Sequence, residues 1–253
     1  MKPLILISND DGVSAKGIHA LAEVASRFAD VVVAAPDGSY SGKSHAITVL
    51  DELRVRRVDD FSGALAAYAI KGTPVDCVKL AFHGLVPRRP DLIISGINHG
   101  SNASVSVHYS GTIGAAREGA LLGITSCGFS LDSYDDDADF SQAQVVADRV
   151  ISALLSGELA SARFYNVNVP LGVVRGARLC RMALAHWVER PIRFSPPFGP
   201  DDIYWLDGSF VNDNPDDSDT DVALLANGFA TITPLLLDAT DYEALAGSSV
   251  FNL

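Results

Sequence analysis

Short aliphatic runs alternate with segments of helical period along the first two-thirds of the chain. Residues 4–7 read Leu-Ile-Leu-Ile, residues 17–28 carry apolar side chains at helical spacing, and 31–35 are aliphatic again; 92–95, 112–122 and 124–130 repeat the rhythm. Apolar runs without polar alternation suit strands buried on both faces of a parallel sheet, and right-handed crossovers place the intervening helices on both sides of it. The pattern predicts an α/β fold with a Rossmann-like, doubly wound, mostly parallel sheet. Between the second strand and Asp91, residues 46–58 and 67–71 read as antiparallel strands rather than a crossover helix, which predicts an inserted β-hairpin. After a helical stretch at 141–155 and a strand at 163–169, the chain becomes rich in Pro, Gly and Asp. Strand-like pieces at 203–206 and 229–233 there predict a C-terminal β-rich extension. No internal repeat or low-complexity linker interrupts the sequence, so the expected organisation is a core over 1–170 and an extension over 171–253, in one unit.

Composition narrows the class. At 253 residues and 48% hydrophobic content the chain can bury a sizeable core. Its 19 Lys and Arg stand against 31 Asp and Glu, and the net charge of -12 excludes a surface that wraps a nucleic-acid polymer. The N-terminal apolar run is too short for a signal-peptide core, and no run of about 18 apolar residues offers a membrane span. Cys77, Cys127 and Cys180 are odd in number, widely spaced and free of any C-x-x-C pattern, which suits buried thiols in a reducing compartment. A cytoplasmic location is expected.

Candidate chemistry begins where the first strand ends, at Ser8-Asn9-Asp10-Asp11-Gly12. Ligands of open α/β sheets bind outside the carboxyl ends of the strands. Two adjacent carboxylates at that position repel a phosphate unless a cation lies between them, and hard oxygen donors select Mg²⁺, Mn²⁺ or Ca²⁺. The competing reading is that Asp10 and Asp11 cap the helix beginning near Gly17. After the second strand, the loop Pro36 to His45 is rich in small residues and hydroxyls around Lys43 and suits an anion. Its Gly-Lys-Ser is not a P-loop. Only three residues separate Gly38 from Gly42, and strand-like 46–50 follows where a helix is required.

A further loop at 95–102 follows the strand at 92–94 and carries Asn98, whose amide oxygen can face a cation. Tyr109-Ser110-Gly111-Thr112 then opens the segment 112–122, so that backbone N–H groups and two hydroxyls gather at a helix N-terminus, where a phosphate is held. The six histidines lack a ligand spacing; His45, His99 and His108 stand out only by their place in these loops. Five aspartates in 132–139 and five in 213–221 match no calcium loop and read as solvated turns, with Asp219 and Asp221 near the start of a helix at Val222.

Taken in order, Ser8-Asn9-Asp10-Asp11-Gly12, Ala35-Pro36-Asp37, Ser41-Gly42, Gly72-Thr73-Pro74-Val75-Asp76-Cys77, Ser95-Gly96-Ile97-Asn98 and Tyr109-Ser110-Gly111-Thr112 resemble the survival protein SurE family. Asn166-Val167-Asn168-Val169-Pro170, Tyr204-Trp205-Leu206 and the stretch from Ser218 to Leu235 extend the resemblance nearly to the C-terminus. It implies a metal-dependent nucleotidase that hydrolyses nucleoside 5'- and 3'-monophosphates, and sometimes short polyphosphate. One Mg²⁺ or Mn²⁺ per subunit is implied, on Asp10, Asp11, Ser41 and Asn98. Activated water is the expected nucleophile, with Asp10 or Asp11 as its base. Ser110, Gly111 and Thr112 are expected on the non-reacting phosphate oxygens, with Asn102 as a further donor and Lys43 adding charge. An aspartyl nucleophile and a nucleotide-binding regulator without turnover are the alternatives. The resemblance also implies homodimers or homotetramers formed by exchange of C-terminal segments, with 191–200 as the hinge.

Overall fold

The computed structural model describes residues 2–159, 163–195, 199 and 201–247. Nine strands form one sheet in the order β3-β4-β2-β1-β5-β6-β7-β11-β8, where β1 is Leu4–Ser8, β2 Asp30–Pro36, β3 Arg54–Val58, β4 Ala66–Lys71, β5 Leu92–His99, β6 Ser126–Leu131, β7 Phe164–Val169, β8 Ala177–Leu179 and β11 Ala230–Leu235. The strands from β4 to β7 are parallel, β3 runs antiparallel to β4, and β11 runs antiparallel to β7. β9 (Ala185–Phe194) and β10 (Ile203–Asn212) pair with each other in a separate, largely exposed ribbon. The doubly wound sheet, the β3–β4 hairpin and the β-rich extension expected from the sequence are all present, and β4 also pairs with β2 as a full member of the parallel sheet.

Each central strand sends alternate side chains to opposite layers, as period-2 geometry requires. Ile5 and Ile7 of β1 pack with helices α1 (Lys16–Phe28) and α4 (Ser141–Ser156) on one face. Leu4 and Leu6 pack on the other with α2 (Pro74–Leu80) and α3 (Gly111–Leu121). The extension adds α5 (Asp221–Ala226) and α6 (Tyr242–Gly247).

Four local expectations are corrected. Residues 46–53 form no strand, because Val49 and Leu50 have no surface to pack on and are 74% and 98% exposed. The Thr48 N–H and hydroxyl donate instead to the buried Asp76 carboxylate, which ties the segment to α2. A crossover helix, α2, does follow β4; Thr73 caps it in a capping box with Asp76, and Pro74 occupies the first turn. The stretch read as a loop from Ser95 continues as strand to His99, with a register shift between Ser95 and Asn98. At the start of α5, Thr220 is the cap residue, and Asp221 sits inside the helix, accepting from Ser104, Ala183 and Val222 N–H groups. Of the expected hinge at 191–200, residues 191–194 continue β9, while 196–198 and 200 lie outside the described residues.

Helix α1 can cross β5 only because residue 17 lacks a side chain. A Cβ on Gly17 would lie 1.9 Å from the Ile97 carbonyl oxygen, at the bulge that carries Asn98. Replacing Gly17 with Ala is expected to cost about 3 kcal/mol in denaturant unfolding. Gly84→Ala is the control, since a Cβ there meets nothing within 4 Å; it is expected to stay within about 0.5 kcal/mol of wild type.

Candidate metal and phosphate site

Strand order reverses at β1, whose successor β2 lies on one side and β5 on the other. The crevice at such a switch point opens beyond the carboxyl ends of the strands. Here it holds a cavity of about 590 Å³ lined by Asp10, Asp11, Ser41, Asn98, Asn102 and Ser110, among others. Six of the nine residues singled out from sequence therefore converge.

Asp10 is buried and fixed at both carboxylate oxygens. The Gly111 N–H donates to Oδ2 at 3.0 Å and the Thr112 hydroxyl to Oδ1 at 2.5 Å, both from the first turn of α3. Close approach requires a glycine: a Cβ on Gly111 would meet the Asp10 Cβ at 2.8 Å. Burial pushes the Asp10 carboxyl up to about 6 against the pull of the Thr112 bond, and the neighbouring charge of Asp11 adds to the rise. Asp11 is also raised by burial, opposed by the His99 N–H, which donates to its Oδ2 at 3.2 Å. Neither aspartate caps α1, whose N-cap is Ala15 with no side-chain bond. Instead, Asn9 closes the turn by bonding both the N–H and the carbonyl of Gly12.

The neutral donors are positioned as firmly. The β5 bulge turns Asn98 into the crevice, and its Nδ2 donates to the carbonyls of His99 (3.0 Å) and Gly100 (2.7 Å), which leaves Oδ1 as the atom for a ligand. The Ser41 loop is stapled across the site: the Ser44 N–H donates to the Tyr109 carbonyl, its hydroxyl to the His108 carbonyl, and the Tyr40 N–H to the Asp10 carbonyl. His45 bonds the buried Glu118 of α3 at 2.9 Å, and Lys79 takes the other Glu118 oxygen. These partners lower the Glu118 carboxyl, the His45 bond first among them.

Ser110 caps α3 by accepting from the Ile113 N–H, so its cavity-facing position and its capping role coincide. Gly111 and Thr112 lie behind the cavity, with the Gly111 N–H and the Thr112 hydroxyl committed to Asp10. Lys43 is exposed and outside the cavity lining.

Two groups were missed in the sequence. Asn166 and Asn168 of β7, both fully buried, hold the 101–102 turn: Asn168 Oδ1 accepts from the Asn102 N–H at 2.7 Å, and Asn166 Nδ2 donates to the Asn102 carbonyl at 2.8 Å. Their alternation on an otherwise apolar strand is a signal for such a role. Tyr134, Trp187 and Glu189 also line the cavity, and no local motif marks them.

The donor set suits a hard divalent cation. Among the described residues no group of three or more His, Cys, Asp or Glu is placed to hold an ion. Two carboxylates with hydroxyl and amide oxygens instead match the ligand count by which Mg²⁺ binds while keeping positions for water and phosphate.

The family model described as Survival protein SurE matches residues 5–189. The 5'-nucleotidase SurE of Cytophaga hutchinsonii is 44% identical over 248 residues, covering 96% of this chain and 95% of that protein. The 5'-nucleotidase SurE of Phocaeicola vulgatus is 43% identical over 253 residues, covering 100% of this chain and 98% of the relative. The crystal structure of the SurE protein from Aquifex aeolicus superposes with a TM-score of 0.82 at 32% identity, covering 96% of this chain and 97% of that one. With the crevice, the sheet order and the full-length similarity in agreement, the chain belongs to the SurE family.

Proposed function

We propose that this protein is a metal-dependent nucleotidase that hydrolyses nucleoside 5'-monophosphates, and 3'-monophosphates as well, to nucleoside and phosphate; short polyphosphate is a further substrate on this reading. One observation carries it: Asp10, Asp11, Ser41, Asn98, Asn102 and Ser110 face one cavity at the switch point of the sheet. The names of the relatives, 5'-nucleotidase SurE, support the same reaction class.

Asp10, Asp11, Ser41 and Asn98 are the proposed ligands of one Mg²⁺ or Mn²⁺ per subunit. Bound there, the ion would polarise the phosphoryl oxygens and lower the pKa of a water poised for in-line attack. The chain's own groups do the rest. Asp10, bonded at both oxygens, is a fixed charge and a poor nucleophile, which favours water over an aspartyl-phosphate. Asp11 has Oδ2 on the His99 N–H, so its Oδ1 is the atom that takes the proton of the attacking water. A bond forms from the water oxygen to phosphorus as the ester bond breaks, and the ribose oxygen leaves as a hydroxyl by taking a proton from solvent water, while the proton held by Asp11 returns to solvent. Ser110 and Asn102 meet the non-reacting oxygens directly. Gly111 and Thr112 set the start of α3, whose N-terminal end is positive, and Lys43 adds charge from the loop above.

The exposed β9–β10 ribbon supports self-association as a homodimer or homotetramer, since Tyr204, Trp205 and Leu206 leave a contiguous apolar stretch in water. A cytoplasmic location fits the three free cysteines; no helix among the described residues is long and apolar enough to cross a membrane.

Phosphate release from a panel of nucleoside 5'- and 3'-monophosphates tests the reading. Release in Mg²⁺ or Mn²⁺ is expected to vanish in EDTA and to fall at least ~100-fold in Asp10→Asn. Nucleotide binding with no release from any substrate would replace the enzyme with a regulator.

Stability in EDTA gives a readout independent of turnover. The folded Asp10 carboxyl is raised from 3.8 to about 6, so between those values the folded state keeps a proton that the unfolded chain has lost, and stability falls as pH rises. The wild type is expected to lose roughly 3 kcal/mol more than Asp10→Asn across this window, and saturating Mn²⁺ at neutral pH to restore it. Denaturant midpoints of the two proteins measure the difference.

For assembly, Trp205→Asp combined with Leu206→Asp is expected to reduce the mass in light scattering towards the monomer. An unchanged mass would remove the ribbon from the interface.

A further inference from the structure

A second cavity, of about 360 Å³, adjoins the first and shares Ser101, Ser106, Tyr134 and Trp187 with it. Where the first is rimmed by carboxylates, hydroxyls and amides, the second is largely apolar. Trp187 of β9 and Phe210 of β10 are register partners, with ring centroids 5.5 Å apart and planes inclined at 71°. The Tyr134 ring lies over the backbone of Gly100, close enough that a Cβ there would approach it to 2.3 Å. Leu225 of α5 lines the same cavity. Such aromatic walls take a flat, uncharged ring system.

One charged side chain enters this slot. Asp132 follows β6, and its N–H is pinned to the Val169 carbonyl at 2.9 Å. Among the described residues its carboxylate has neither a hydrogen bond nor an ion pair. The side chain stays open to solvent, yet enough water is excluded around it that burial pushes its carboxyl up. An ionised carboxylate only accepts, and its two oxygens are best met by two adjacent donors.

Among the common bases, guanine alone presents that edge, with N1–H beside the N2 amino group. Adenine sets its amino group between two ring acceptors, cytosine sets its own beside N3, and the uracil N3–H is flanked by carbonyls that repel a carboxylate. We propose that Asp132, with Trp187 and Tyr134, forms a guanine-selective base subsite, in which the base stacks on the aromatic side chains, the ribose passes Ser106, and the phosphate faces Asp10 and Asp11. The orientation of the nucleotide rests on the nucleotidase reading; the base preference is measurable without turnover.

The test is calorimetric titration of the full-length protein with guanosine, inosine and adenosine, nucleosides that lack the scissile phosphate. Guanosine is expected to bind at least about tenfold more tightly than adenosine, with inosine, which keeps N1–H but lacks the amino group, in between. Asp132→Asn is expected to bring the guanosine-to-adenosine ratio close to one. Equal affinities for the three nucleosides in the wild type, or an unchanged ratio in Asp132→Asn, would overturn the subsite. The guanosine-to-inosine comparison needs no variant and so holds even if Asp132→Asn folds poorly. Selective guanosine binding by a protein that releases phosphate from no nucleotide would uphold the subsite and sink the nucleotidase reading, whereas turnover without base preference would do the reverse.

Discussion

Two carboxylates held side by side and largely out of water at the end of β1 are the constraint to which the surrounding structure answers. Burial of Asp10 is unfavourable for its charged form and is only partly offset by the N–H and hydroxyl that α3 aims at it. The cation of the proposed function would offset the remaining imbalance. Around the two carboxylates the chain arranges a glycine that lets α3 come close, a bulge that swings Asn98 inward, and a loop bearing Ser41 stapled down on the far side. The proposed ligand atoms of Asp10, Asp11, Ser41 and Asn98 are all oxygens, which favours a hard cation over a soft metal.

The middle of the sheet was legible in the sequence because strands such as β1, β5 and β6 are buried on both faces and so have no polar alternation to obscure them. Leu4 to Ile7 are all fully buried, and the apolar run and the strand coincide. The same rule misleads at 46–50, where Ile47, Val49 and Leu50 look like a strand and lie exposed. What decides that segment is a hydrogen bond to Asp76, 28 residues away and unreadable from local pattern, since Thr48 spends its N–H on that carboxylate instead of on a neighbouring strand. Helix α2 was missed although Thr73-Pro74-Val75-Asp76 spells a capping box with proline in the first turn; its seven residues are too few for helical periodicity to show.

Residues of the site divide the same way. Asp10, Asp11, Asn98 and Ser110 could be read because each stands just past a recognisable strand or just before a recognisable helix. Their supporting contacts could not, because they join distant segments: Asn168 to Asn102 across β7, or Glu118 to His45. The extension is the clearest case. Its composition predicted strands, and the structure adds that β9 brings Trp187 and Glu189 to the rim of the cavity. A segment expected to serve assembly therefore also borders the candidate site, and β11 and β8 complete the sheet that carries it.

The central claim is that the paired aspartates exist to hold a hard divalent cation against a phosphate. Anomalous diffraction from crystals equilibrated with Mn²⁺ tests it most directly. The expected result is one peak per subunit, roughly 2.0–2.6 Å from oxygens of Asp10, Asp11, Ser41 and Asn98. An empty crevice at saturating Mn²⁺, or a peak on other residues, would contradict it.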